Sequence, residues 1–432
     1  EIGLGIPAEP LFRSSVLRSI MGMTATTIND TFIFNMEAVG QTKFRQFISY
    51  DTMDEPNQAL TSLLFADYQL ENKMNIGFVG SPNIGSVALN MIKDSEEFKA
   101  FANVFGEGDR IFFISSIFGG TGAAGFPILV KNIRQAQNLD VSNKNFLRQA
   151  PIGGLTVLPY FNLNNSQGKS IDKADFVVKT QSALQYYNET LTGDADRNVN
   201  AIFYLGDQTS SIPYNYDPGN IRDQHNPAHL VEMVGAMAAL KFAGMADRQF
   251  LDGMGGFLPT KAFEYGLDKD LLDVDFTTFG QETRHLIYRP MVKFHMLFIY
   301  MRTALKAIIG QGYTQDEPKI RSEFTTTQFY RTLVDQFFDF YTEWLTEMHQ
   351  NLRHVELFNV GENNLSNIIH NVVTKKGFFG RKSVDENTFN SEMNKLSRDN
   401  KKYSARTVEY KLLDLFNQAA GNILDEKYEN IN

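Results

Sequence analysis

The chain has 432 residues, which suggests two to four domains at roughly 100–200 residues each. Hydrophobic residues make up 43% and charged residues 21%, a globular balance that argues against a disordered chain, a collagen-like repeat or a coiled-coil rod. The net charge of −9 has the wrong sign for a duplex-binding protein, so no nucleic-acid partner is expected.

There is no cysteine, which removes disulfides, cysteine nucleophiles and thiolate metal sites. That fits a reducing compartment, and a cytoplasmic location is the expectation. The chain opens at Glu1 rather than Met, so its true N-terminus can lie upstream; no signal peptide is visible in what is present.

From Glu1 to about Gly256, short apolar runs alternate with stretches of helical period. The runs predict strands at Thr31–Phe34, Asn75–Phe78, Arg110–Ser115, Gly154–Pro159 and Ala201–Leu205. Helices are expected at Leu11–Met21, Val87–Met91, Glu96–Phe105, Pro127–Gln137, Asp175–Leu191 and Ala228–Phe242. This alternation predicts an α/β fold with a parallel sheet covered on both faces. Ligands of such sheets bind at the carboxyl ends of the strands. Beyond about Phe257 the strand signal weakens. Met291–Ile309, Phe329–Arg353 and Tyr403–Ile423 predict long helices, and residues 359–364 and 375–387 read as loops. Lys293, His295, Arg302 and Lys306 mark the first of those helices as amphipathic, so no membrane span is expected. The expected organisation is a nucleotide-binding domain over 1–225, a core helix and its loop over 226–256, and a helix-rich domain over 257–432.

Two loops carry the chemistry. After the apolar run Ile111–Ile114 comes Phe118-Gly119-Gly120-Thr121-Gly122, with a helix beginning near Ala124. Glycines let backbone N–H groups approach phosphate oxygens, and a helix N-terminus adds donors and a partial positive charge. A tight turn that merely packs helix on sheet would look similar. The loop Gly80-Ser81-Pro82-Asn83-Ile84-Gly85 also joins a strand to a helix. Alone it reads as an ordinary loop. His225 and His229 are four apart, but Pro227 lies between them, and no metal site is expected.

In order and spacing these segments resemble the tubulin/FtsZ superfamily, over roughly residues 70–250. FtsZ has a G-x-G-A-x-P-x-x-G loop, a helix, an acidic turn and a GGGTG(S/T)G phosphate loop. Here Gly80–Gly85, Glu96–Phe105, Gly106–Asp109 and Phe118–Ala124 follow that order. Phe118 stands for the motif's first glycine and Ala124 for its last. Leu155–Phe161 is similar to the L-T-V-A-V-V-T-x-P-F strand, and Asn200–Asp207 to the strand ending in N-D. Ala228-His229-Leu230-Val231 with Leu240–Gly244 resembles the N-H-L-V … L-R-F-P-G core helix of tubulin. The resemblance implies GTP or GDP, with Mg2+ held through the phosphates. It implies contacts from Gly80, Ser81, Pro82, Asn83, Gly119, Gly120, Thr121, Gly122, Ala123 and Asp207. The tubulin Asn that contacts guanine aligns with Ala228, which has no side-chain donor. Asn226 is the candidate replacement, although before Pro227 it also suits a helix N-cap.

The match departs in three places. The family's first glycine loop is reduced to Gly3 and Gly5, with Pro7 and Pro10 removing donors. The N-x-D-x-x-D loop after the core helix reads Gly244–Gly253, leaving Asp247 and then Asp252 as candidates to orient an attacking water. The C-terminal region looks more helical than the family's second domain. Two readings follow: a self-assembling GTPase completed by head-to-tail contacts, or a nucleotide-binding subunit of a larger complex that does not hydrolyse. The C-terminal helices also offer faces for protein partners. The cellular role stays open among division, segregation and defence.

Overall fold

The computed structural model describes residues 42–74, 78, 80–161, 173–193, 197–207, 227–264, 267, 271–359, 361–377, 380–398 and 402–429. The predicted helix over 11–21, the predicted strand over 31–34, residues 75–77 of the predicted strand over 75–78, and Asn226 lie outside them. The chain folds as two compact units. The described part of the first spans 42–207 and 231–264, and that of the second 227–230 and 267–429.

The first unit is α/β. Its four described strands are β1 (Ile111–Ser116), β2 (Ile152–Val157), β3 (Ala201–Leu205) and β4 (Lys261–Glu264). They lie in the order β1-β2-β3-β4, and every neighbouring pair is parallel. Helices Thr121–Arg134, Lys173–Thr190 and Leu230–Gly244 make the crossovers that parallel pairing requires. Three strands fall close to their predicted positions. β4 was not predicted: it is four residues long, bounded by Lys261 and Glu264.

Consecutive glycines on β2 explain how both faces are covered. Side chains alternate between faces along a strand. A Cβ on Gly153 would lie 2.7 Å from Phe242 of the helix Leu230–Gly244. A Cβ on Gly154 would lie 2.3 Å from Phe126 of the helix Thr121–Arg134. Gly153 therefore admits the rings of Phe242 and of Phe112 on β1 to one face of the sheet, Gly154 admits Phe126 to the other, and the two helices sit on opposite sides.

The amino edge of the sheet is held by Arg134. It donates to the carbonyls of Asn198, Arg148 and Ala150 at 2.7–2.9 Å and stacks over Phe257 at 4.3 Å. Asn200 joins the same cluster, its Oδ1 accepting from the Ile152 amide at 2.7 Å.

The second unit is mostly helical. Its main helices are Gln281–Thr303, Phe338–Gln350, Glu386–Leu396 and Val408–Lys427. The helix predicted from Met291 begins ten residues earlier, and Glu386–Leu396 was not predicted. No described helix is long and apolar enough to cross a membrane. The core is aromatic: Phe389 and Phe416 stack at 5.0 Å with Tyr300 beside them. His295 is buried, stacked on Phe358 at 3.9 Å and hydrogen-bonded to Tyr341. Burial pushes its pKa down to about 3. An unfolded histidine titrates near ~6.5. The neutral ring is therefore favoured by folding: its contribution is present above that value and is lost as pH falls towards 3. Stability should fall by up to ~1.4 kcal/mol per pH unit in this window. Urea unfolding from pH 4 to 7 checks it, and an equal slope in His295→Phe would rule out this residue as the cause.

Candidate nucleotide-phosphate site

The helix Thr121–Arg134 begins directly after Gly119 and Gly120, three residues before the expected start near Ala124 and six before the start of the periodic stretch at Pro127. Pro127 lies inside the helix, and its missing N–H leaves the carbonyl four residues back without a helical donor. That carbonyl belongs to Ala123, and the Tyr187 hydroxyl donates to it at 3.1 Å. Tyr187 is fully buried with its pKa raised by desolvation, so it stays a protonated donor. A defect in the helix Thr121–Arg134 is thus repaired from the helix Lys173–Thr190.

The two glycine loops meet. A Cβ on Gly120 would lie 3.0 Å from the Gly80 nitrogen and from the carbonyl carbon and Cβ of Phe78. A Cβ on Gly85 would lie 2.8 Å from the Ala124 Cβ and 3.1 Å from the Gly120 oxygen. Gly80 has φ of +71°, a conformation suited to glycine. Each loop opens a helix, Pro82–Leu89 and Thr121–Arg134, and the two helices pack together at these glycines. Two helix N-termini with their positive partial charges therefore lie side by side. Gly119, Thr121 and Gly122 are partly exposed, while Gly120 and Ala123 are buried. Phe118, in the place of the family's first glycine, packs against Phe161 at 5.5 Å.

The side chains of Ser81 and Asn83 are engaged by Gln69. Its Nε2 donates to Ser81 Oγ at 3.1 Å and to Asn83 Oδ1 at 3.2 Å. Asn83 also donates to the Leu64 carbonyl. These two residues are thus held by Gln69, and the backbone of their loop is what faces the second glycine loop. Pro82 is the first residue of its helix and has no N–H to offer. Sequence reasoning missed Gln69, and it missed Lys179, whose Nζ donates to the Gly80 carbonyl at 3.0 Å.

Asp207 follows β3 by two residues. The last residues of β1, β2 and β3 share one row of the sheet, Ser116 opposite Val157 and Val157 opposite Leu205. Asp207 is therefore on the same carboxyl edge as Gly119–Gly122, two strands away, or about 10 Å across the sheet. Ala228 is buried, with its N–H donating to Glu347 at 2.9 Å and its carbonyl accepting from Asn351.

Asp247 and Asp252 are on the opposite edge. Arg110, immediately before β1, donates to Asp247 at 2.6 Å and to the carbonyls of Phe242, Ala243 and Met245. It thereby caps the helix Leu230–Gly244, where carbonyls lack helical donors. Asp252 Oδ1 accepts from the amides of Met254 and Gly256 and shapes its own turn. Six strand residues separate Arg110 from the edge that carries Gly119–Gly122, roughly 20 Å at 3.3 Å per residue. Neither carboxylate can reach Gly119–Gly122 of its own chain.

Comparison with protein-family models, curated proteins and solved structures finds no match for the chain.

Proposed function

We propose that the chain is a tubulin/FtsZ-like GTP-binding protein that assembles head to tail, with the nucleotide at the subunit interface. The observation that carries this reading is the contact between the Gly80 and Gly120 loops. Forty residues apart in sequence, they bring two helix N-termini to the carboxyl edge of one parallel sheet. Backbone N–H groups of Gly119–Ala123 bind the phosphates, and the Gly80 loop covers their outer end. Mg2+ is held through the phosphates. The placement of Asp247 and Asp252 supports assembly. They sit on the edge that, in a head-to-tail stack, meets the phosphate edge of the next copy, and such contacts propagate into filaments when they do not close. Asp247 remains 65% exposed despite its ion pair.

A second reading is a binding subunit that does not hydrolyse. It is favoured by the same two carboxylates, because Arg110 engages Asp247 and the turn consumes Asp252. The nucleotide that co-purifies with the chain tests the shared premise. Guanine nucleotide is expected after acid extraction, with GTP and GDP outcompeting ATP and ADP. A clear preference for adenine, or no nucleotide binding at all, overturns the proposal.

A further inference from the structure

The helix Lys173–Thr190 touches both glycine loops. Tyr187 donates to Ala123 at the second loop, and Lys179, eight residues earlier on the same helical face, donates to Gly80 at the first. The two contacts differ in kind. Tyr187 is a neutral hydroxyl, fully buried, satisfying a carbonyl that Pro127 leaves open. Lys179 is only partly buried, and its acceptor among the described residues is a neutral carbonyl. An ammonium has three donors and a full charge, and a phosphate oxyanion is a stronger partner for it than a carbonyl.

Resting on the nucleotide-site reading above, we propose that Lys179 is the residue by which this site distinguishes a nucleoside triphosphate from a diphosphate. Phosphates seated on Gly119–Gly122 extend towards Gly80, because the two loops are in contact there. The Lys179 ammonium stands at Gly80, at the outer end of that line. A diphosphate ends short of it. A terminal phosphate reaches it, and the ammonium turns from the Gly80 carbonyl onto that group. The long, flexible stem of lysine allows the exchange with rotamer changes alone. Arg134, a buried cation of the same unit, does not suit this task, since it is already surrounded by backbone carbonyls at the sheet's amino edge.

The test measures binding of GTPγS and of GDP, each with Mg2+, by calorimetry on the full chain. Lys179→Gln keeps a donor for the Gly80 carbonyl and removes the charge; Lys179→Arg keeps the charge. Lys179→Gln should weaken GTPγS about tenfold or more and change GDP less than twofold. Lys179→Arg should retain most of the parent's preference. Equal losses for both nucleotides in Lys179→Gln, or no loss for either, overturn the lysine's role while leaving the site standing. A parent chain that binds neither nucleotide overturns the site reading and this inference together. Matching thermal unfolding midpoints among the three chains establish that affinity, not folding, is being read.

Discussion

Gly120→Val is expected to abolish nucleotide binding, lowering affinity at least a hundredfold, whereas Gly125→Ala leaves it unchanged. The sequence suggests a simple mechanism for the first, a side chain placed where a phosphate belongs. The structure assigns a different one. The Cβ direction of Gly120 points at Phe78 and Gly80, with three atoms at 3.0 Å, two of them backbone. Backbone cannot rotate away, so the variant must drive the loops apart. It would then lose the alignment of two helix N-termini at which anions bind. Gly125 is five residues on, inside the helix Thr121–Arg134, and its Cβ would meet only Leu89 Cδ1 at 3.4 Å, an ordinary contact. Replacing a mid-helix glycine by alanine there is neutral or stabilises by up to ~1 kcal/mol. Equilibrium dialysis with GTP and circular dichroism check the pair. Should Gly120→Val unfold the chain, Thr121→Val serves instead: it keeps the side-chain shape and removes the hydroxyl, and about a tenfold loss is expected. Unchanged affinity in a folded Gly120→Val would sink the cradle.

The parts of this site that were legible are those written locally. The apolar run Ile111–Ile114, the glycines and the following helix lie within 25 residues, and the strand and helix fall close to where periodicity puts them. The periodic stretch begins only at Pro127, so the first turn, Thr121–Ala124, was legible from the glycines rather than from apolar spacing. Only the fold reveals that Tyr187, sixty-four residues beyond Ala123, supplies the donor that Pro127 lacks. β4 escaped notice for a related reason. Lys261-Ala262-Phe263-Glu264 is too short and polar for a strand signal, and its only aromatic is recruited by stacking on Phe203 at 4.7 Å. Gln69, Lys179 and Arg110 could not be found from spacing, since each acts on residues 12 to 137 positions away. Asp247 and Asp252 were legible as acidic residues on a loop. Their engagement by Arg110 and by the turn amides was not.

The edge-to-edge separation within one chain makes the sharpest claim about assembly. Asp247 lies roughly 20 Å from Gly119–Gly122 of its own chain, the length of a six-residue strand. If it takes part in hydrolysis at all, it acts on the nucleotide of a neighbouring copy. Turnover per chain should then rise with protein concentration, and Asp247→Ala should lower it about a hundredfold or more while nucleotide affinity stays within twofold. Arg110 complicates that variant, because losing its partner disturbs the cap on the helix Leu230–Gly244. A mixing experiment removes the ambiguity. Asp247→Ala has an intact phosphate cradle and no carboxylate to donate; a folded Gly120→Val has the carboxylate and no cradle. Each alone should be inactive. Mixed, the second chain can place its Asp247 over the nucleotide of the first, and turnover should return in proportion to the Gly120→Val added. Damage to the helix cap in Asp247→Ala cannot be mended in this way, because the cap is internal to one chain. A mixture as inactive as its components, or parent turnover that stays flat with concentration, would instead leave the chain as a nucleotide-binding subunit whose Asp247 serves only the ion pair with Arg110.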